Sequence, residues 1–132
     1  MKKLSFFLLC LMAVGLGACK SEGPDAGQLA AVAAKGYYDL LLEGKYEDFV
    51  AGINQPNRLP DSYHNQLVMN TQMFVEQQNE EHKGMKRFDV LNAKADTTKR
   101  IADVYLSVHY GDSTTEQIVV PMVEVKGKWK MR

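Results

Sequence analysis

The spacing of apolar residues changes twice along this chain. An apolar run from Leu4 to Val14, broken only by Ser5, follows Lys2 and Lys3. From Gln28 the spacing becomes helical: Leu29, Val32, Tyr37, Leu40 and Leu41 recur among four alanines. Gly44 closes this helix, because glycine takes the left-handed conformation cheaply. A second, short helix should follow, with Tyr46, Phe49, Val50 and Ile53 on one face. The breaker-rich stretch Asn54 to Pro60 predicts a loop. A third helix is expected to start at Asp61 or Ser62, either of which can cap it. It carries Tyr63, Leu67, Val68, Phe74 and Val75, turns polar over Glu76 to Glu81, and stops at Gly84.

Beyond Gly84 the period changes to alternation. Lys86 to Ala95 reads as a strand, with a turn at Asp96 to Lys99. Ile101 to Tyr110 alternates most clearly: Ala102, Val104, Leu106, Val108 and Tyr110 share one face, which should be the core face. Glu116 to Val125 is a third strand, in which Pro121 cannot donate a ladder hydrogen bond and so predicts an edge or a bulge. Lys126-Gly127 is a tight turn into Lys128–Arg132, with Trp129 and Met131 inward. Helices first and an antiparallel meander afterwards predict an α+β fold: three N-terminal helices packed on a curled four-stranded sheet. Residues 28–132 form one domain, with no internal repeat.

The first segment is an address. A run of eleven residues falls short of the roughly 20 that span a bilayer. It fits the core of a signal peptide behind a basic start. Leu16-Gly17-Ala18-Cys19 then resembles a bacterial lipoprotein signal, which implies cleavage after residue 18 and acylation of the Cys19 thiol. Cys10 leaves with the signal, so Cys19 is the only cysteine of the mature chain and cannot close an intrachain disulfide. Each buried acyl methylene contributes about 0.8 kcal/mol, so two or three chains anchor stably. Residues 19–27, with two glycines and a proline, read as a short tether that holds the domain near the membrane. Lys20 rather than Asp after the cysteine resembles lipoproteins forwarded to the outer membrane, with the periplasmic or surface face left open.

Charge and composition exclude more than they assign. Without Lys2 and Lys3 the chain carries 14 basic against 16 acidic side chains, in no basic run. This gives no footprint for nucleic acid or for anionic headgroups. His64 and His82 lie 18 residues apart, about 27 Å along one helix, which is too far to share a metal. No metal or cofactor is expected, and there is no phosphate loop or nucleophile elbow. Asp103, Tyr105, Ser107 and His109 project from one face of a strand, where a solvated surface is the simpler reading than a catalytic one. Tyr37, Tyr38, Phe49, Tyr63, Phe74, Phe88, Tyr110 and Trp129 are the candidates to line an apolar pocket, against the alternative that they are core. Gly36 inside the first helix permits close contact with the sheet or marks a kink.

The helix–Gly–helix junction Tyr37 to Phe49 and the closing Gly127-Lys-Trp-Lys-Met131 resemble the nuclear transport factor 2-like (NTF2-like, cystatin-like) superfamily, and within it small lipoproteins of the Bacteroidota type. The resemblance covers residues 28–132 and implies a cone whose sheet curls around the first helix and leaves a pocket at its wide end. Larger members carry an extra hairpin between the early and later helices, for which Asn54 to Pro60 is too short. Catalytic members build part of their site there, so its lack counts against catalysis. The expected function is a lipid-anchored envelope module, monomer or homodimer, that binds a small apolar ligand or an envelope protein. The alternatives are an isomerase- or hydrolase-type enzyme using Tyr105, Asp103 or His109, and a purely structural envelope component.

Overall fold

The computed structural model describes residues 25–55 and 57–132. The signal segment and Cys19 lie outside these described residues. Helix α1, Ala26–Leu42, begins two residues ahead of the expected Gln28, because Asp25 caps it. The Asp25 carboxylate accepts from the Gln28 amide at 2.8 Å, and the Gln28 side chain accepts from the Asp25 amide at 3.0 Å. This reciprocal capping box satisfies two otherwise orphaned donors. At the other end Lys45 N–H reaches the Leu40 carbonyl at 2.9 Å and Gly44 N–H the Leu41 carbonyl at 3.3 Å. Gly44 sits at φ 74, a Schellman close that a side chain would strain.

The chain then forms α2, Tyr46–Ala51, and α3, Asp61–His82. Asp61 and Ser62 do not cap α3: Pro60 occupies the N-cap position without a side-chain hydrogen bond, and Asp61 is already helical. The described residues between α2 and α3 add no hairpin; Ile53 makes a single parallel bridge to Met131.

Strands β1 (Met85–Asp96), β2 (Ile101–Tyr110), β3 (Thr115–Val125) and β4 (Lys128–Met131) form one open antiparallel sheet in the order β1-β2-β3-β4. Every second residue of β2 from Ala102 to Tyr110 is buried, as the alternation requires. Pro121 lies in an inner strand, yet β4 pairs only with Met122–Val125. Pro121 is therefore where β3 stops being covered, and its carbonyl accepts from Arg132 N–H at 2.9 Å. The missing donor faces the end of β4 and leaves the β2 ladder whole. The free edge of β1 is blunted by two register shifts, at Met85/Arg87 and Val90/Asn92, and by Lys86 and Lys94.

The core lies between α1 and the concave face of the sheet. Ala30, Ala31 and Ala34 are buried against Phe88, Val104, Leu106 and Met122. This corrects the expected helix face: Leu29 and Val32 point outward, Val32 being 72% exposed. Small residues face the sheet because it curls tightly around α1 and leaves room only for a methyl group. Gly52 allows a second close approach, since a Cβ there would run into the Tyr37 ring. Tyr37 in turn donates to the Trp129 carbonyl at 2.7 Å, which pins β4 to α1. Gly36 does not serve close packing: a Cβ there meets nothing within 4 Å, and the residue is exposed.

Candidate functional site

An apolar cleft of about 360 Å³ opens where α3 crosses the other layers. Tyr38 and Leu41 of α1 and Phe49 of α2 form its floor, with Ile118 of β3. Leu67, Asn70, Thr71 and Phe74 of α3 form its roof. The volume falls within the range of small-molecule sites, roughly 300–1,000 Å³. Tyr38 is the pivot, meeting Phe49 edge-on at 5.4 Å and Phe88 at 5.3 Å between ring centroids. Such edge-to-face pairs hold the rings in fixed orientation.

The Thr71 hydroxyl and the Asn70 side-chain oxygen of the roof are already engaged. Thr71 donates to the Leu67 carbonyl at 2.8 Å, and Asn70 accepts from the Gln66 amide at 2.8 Å. Among the described residues no hydrogen-bond partner is found for the Tyr38 hydroxyl. Burial raises the Tyr38 pKa above its ordinary value, so the group stays protonated and available as a donor. The cleft thus offers apolar walls, one uncommitted hydroxyl and the side-chain NH2 of Asn70.

Of the eight aromatic candidates, the structure gathers Tyr38, Phe49 and Phe74 in the cleft and places Phe88 directly behind Tyr38 in the core. Tyr37 is spent on β4, Trp129 is buried beside it, and Tyr63 is 51% exposed on α3. Tyr110 lies at the far end of the sheet, stacked on His82 at 4.2 Å and donating to Glu116 at 2.8 Å. Leu67, Asn70, Thr71 and Ile118 were not among the candidates. The spacing of residues 67, 70, 71 and 74 is nonetheless the i, i+3, i+4, i+7 stripe of one helix face, a signal present in the sequence.

The polar strand face is a separate place, on the outer side of the sheet. Asp103 pairs with Arg132 at 3.6 Å, and Tyr105 lies under Lys94 at 5.7 Å. Ser107 and His109 are joined there by Asp89 and Arg87 of β1. Asp89 approaches His109 Nε2 at 2.9 Å, and Ser107 Oγ lies 3.4 Å from the same nitrogen. A nucleophilic relay needs the hydroxyl and the carboxylate on opposite nitrogens of the ring, so this Ser-His-Asp grouping does not form one. Arg87 also binds Asp89 at 3.0 Å and, first among the causes, holds its carboxyl below the usual range. The described residues contain no cluster of three or more His, Cys, Asp or Glu able to hold a metal. None of their helices is long and apolar enough to cross a membrane.

No family model matches the sequence, and neither does any curated protein. Structure does find a likeness. The crystal structure of a candidate NTF2-like transpeptidase from Campylobacter jejuni superposes with a TM-score of 0.60 at 14% identity, covering 74% of this chain and 92% of that one. The fold is therefore the α+β NTF2-like fold, with its sheet left open.

Proposed function

We propose that this chain is a lipid-anchored protein of the bacterial cell envelope whose domain binds without catalysing, and that the cleft under α3 receives a small apolar ligand. The anchor reading rests on Leu16-Gly17-Ala18-Cys19 behind the apolar signal segment. The binding reading rests on one observation above all: apolar walls around the unpartnered, protonated hydroxyl of Tyr38. The NTF2-like fold hosts binding modules and enzymes alike, so the fold does not choose between them. The Ser107–His109–Asp89 geometry weighs against a hydrolytic or transpeptidase-type relay.

A protein partner is the second reading, favoured by α3 itself. None of its 22 residues is fully buried. It exposes Met69 and Met73, and it carries four carboxylates with no Lys or Arg. A basic amphipathic segment of another envelope protein matches that chemistry.

Two measurements test the proposal. Mass analysis of the N-terminal peptide from membranes should show acyl chains on Cys19, with cleavage before it; an unmodified cysteine overturns the anchor. An apolar fluorophore should bind the domain and be lost in Phe49→Ala and Leu67→Ala. Unchanged binding in both variants overturns the cleft.

A further inference from the structure

The chain's order of charges shows no footprint for anionic headgroups, but the strand register gathers cations that are scattered in the sequence. The β1–β2 turn and the β3–β4 turn lie at the same end of the sheet, since Ile101 pairs with Val123 and Val125 with Lys128. Lys94, Lys99, Arg100, Lys126, Lys128 and Lys130 therefore converge there, five of them exposed and Lys130 half-buried. Among the described residues none of these six takes part in an ion pair, whereas Arg132 is taken by Asp103. Asp25, Asp96, Asp103 and Glu124 are the carboxylates that oppose them, and three of those are already engaged: Asp25 accepts from the Gln28 amide, Asp96 from the Thr98 and Lys99 amides, and Asp103 pairs with Arg132. The opposite end, where α3 meets the β2–β3 turn, carries Glu80, Glu81, Asp112 and Glu116 against Lys83 and Lys86. The molecule is basic at one end of the sheet and acidic at the other.

The basic end is also where the chain enters the domain. Gly27 of α1 lies against Ala93, close to the β1–β2 turn. Cys19 stands six residues before Asp25, a distance the chain spans with at most about 20 Å. A membrane anchored through Cys19 is thus within reach of these cations, and a negative surface attracts basic groups over about one Debye length.

We infer that the basic end of the sheet docks on an anionic lipid surface, which orients the domain so that the acidic end, with Lys83 and Lys86, faces away from the membrane. The inference rests on the anchor reading above, and the test separates the two. The full acylated chain is reconstituted into vesicles of phosphatidylcholine alone or mixed equally with phosphatidylglycerol. A water-soluble amine reagent then labels lysines, and the peptides are weighed. In the anionic vesicles Lys94, Lys99, Lys126 and Lys128 should label about tenfold more slowly than in phosphatidylcholine. Lys83 and Lys86 should label equally in both. The protection should vanish in about 1 M salt, where the Debye length is about 3 Å. The double variant Lys99→Glu, Lys128→Glu should lose it, and Lys86→Glu should keep it.

Equal labelling of both ends in both vesicles overturns the inference while leaving an acylated Cys19 intact. Protection that ignores lipid charge also overturns it, since the occupant is then a neutral lipid surface or a second copy. If the Cys19 peptide carries no acyl chain, the anchor reading fails. The same footprint on the unacylated chain then decides alone: protection by phosphatidylglycerol keeps the basic end as a lipid-binding surface, and uniform labelling removes it.

Discussion

Gly36 and Gly52 sit sixteen positions apart and answer in opposite ways to one added methyl group. Gly36 is mid-helix, with open space where a Cβ would go. Gly36→Ala should therefore stabilise the domain by about 0.5–1 kcal/mol, through helix propensity and a less flexible unfolded chain. Gly52→Ala forces the Tyr37 ring aside and endangers its bond to the Trp129 carbonyl. It should cost about 1–3 kcal/mol. Chemical denaturation of the two variants checks both signs. Neither outcome is legible in the sequence, where Gly36 falls inside one helical pattern and Gly52 at the end of the next. The direction comes from what each Cβ would meet, which depends on residues far along the chain.

At the level of elements, the C-terminus of α3 is held by a polar clasp. His82 Nδ1 lies 3.1 Å from Asp112, while the Asp112 amide donates to the His82 carbonyl at 3.0 Å. Hydrogen bonds from the Thr114 hydroxyl and amide, with a contribution from His82, lower the Asp112 pKa to about 2. A depressed carboxylate stabilises the fold above its ordinary pKa of 3.8 and loses that contribution as pH falls toward 2. The melting temperature should drop across this window, and Asp112→Asn should flatten part of the drop. Asp89, lowered by Arg87 and His109, supplies another part, which Asp89→Asn isolates. Tyr110 moves the other way: burial first, then its bond to Glu116, raise it to about 12. Its contribution is whole below pH 10 and is lost as pH rises through about 12. A tyrosinate absorbance titration should show a step near pH 12 that Tyr110→Phe removes.

The elements differed in how plainly the sequence announced them. Strand β2 was readable to the residue because its two faces meet different surroundings, core and solvent. Helix α1 was readable as a helix but not for its face. Alanine scores weakly in any apolar pattern, and here it wins the core side because the sheet comes so close. The clasp joins residues 30 apart, and such pairs leave no trace in local spacing. The cleft was partly visible: its three aromatics stood out and Leu67 belonged to the apolar pattern of α3, whereas Asn70 and Thr71 were hidden among the polar residues of that helix.

For the whole molecule, an NTF2-like fold with an open sheet holds a cleft between its helices. The open sheet and the loosely seated α3 leave that cleft reachable from solvent. Filling it from within should block a ligand without unfolding the domain, since Thr71 is only half-buried. Thr71→Phe should therefore abolish apolar binding with a stability change of about 1 kcal/mol or less, because the added ring projects into space already empty. Fluorophore titration beside a denaturation curve reads both quantities.

The most direct test of the central claim is native mass spectrometry of the domain from Lys20 onward, purified from a periplasmic host. A bound small molecule should survive into the spectrum of the native chain and be missing from Phe49→Ala and Thr71→Phe. A bare protein mass in the native chain, with no gain on adding apolar compounds, would contradict the claim that the cleft is a ligand site.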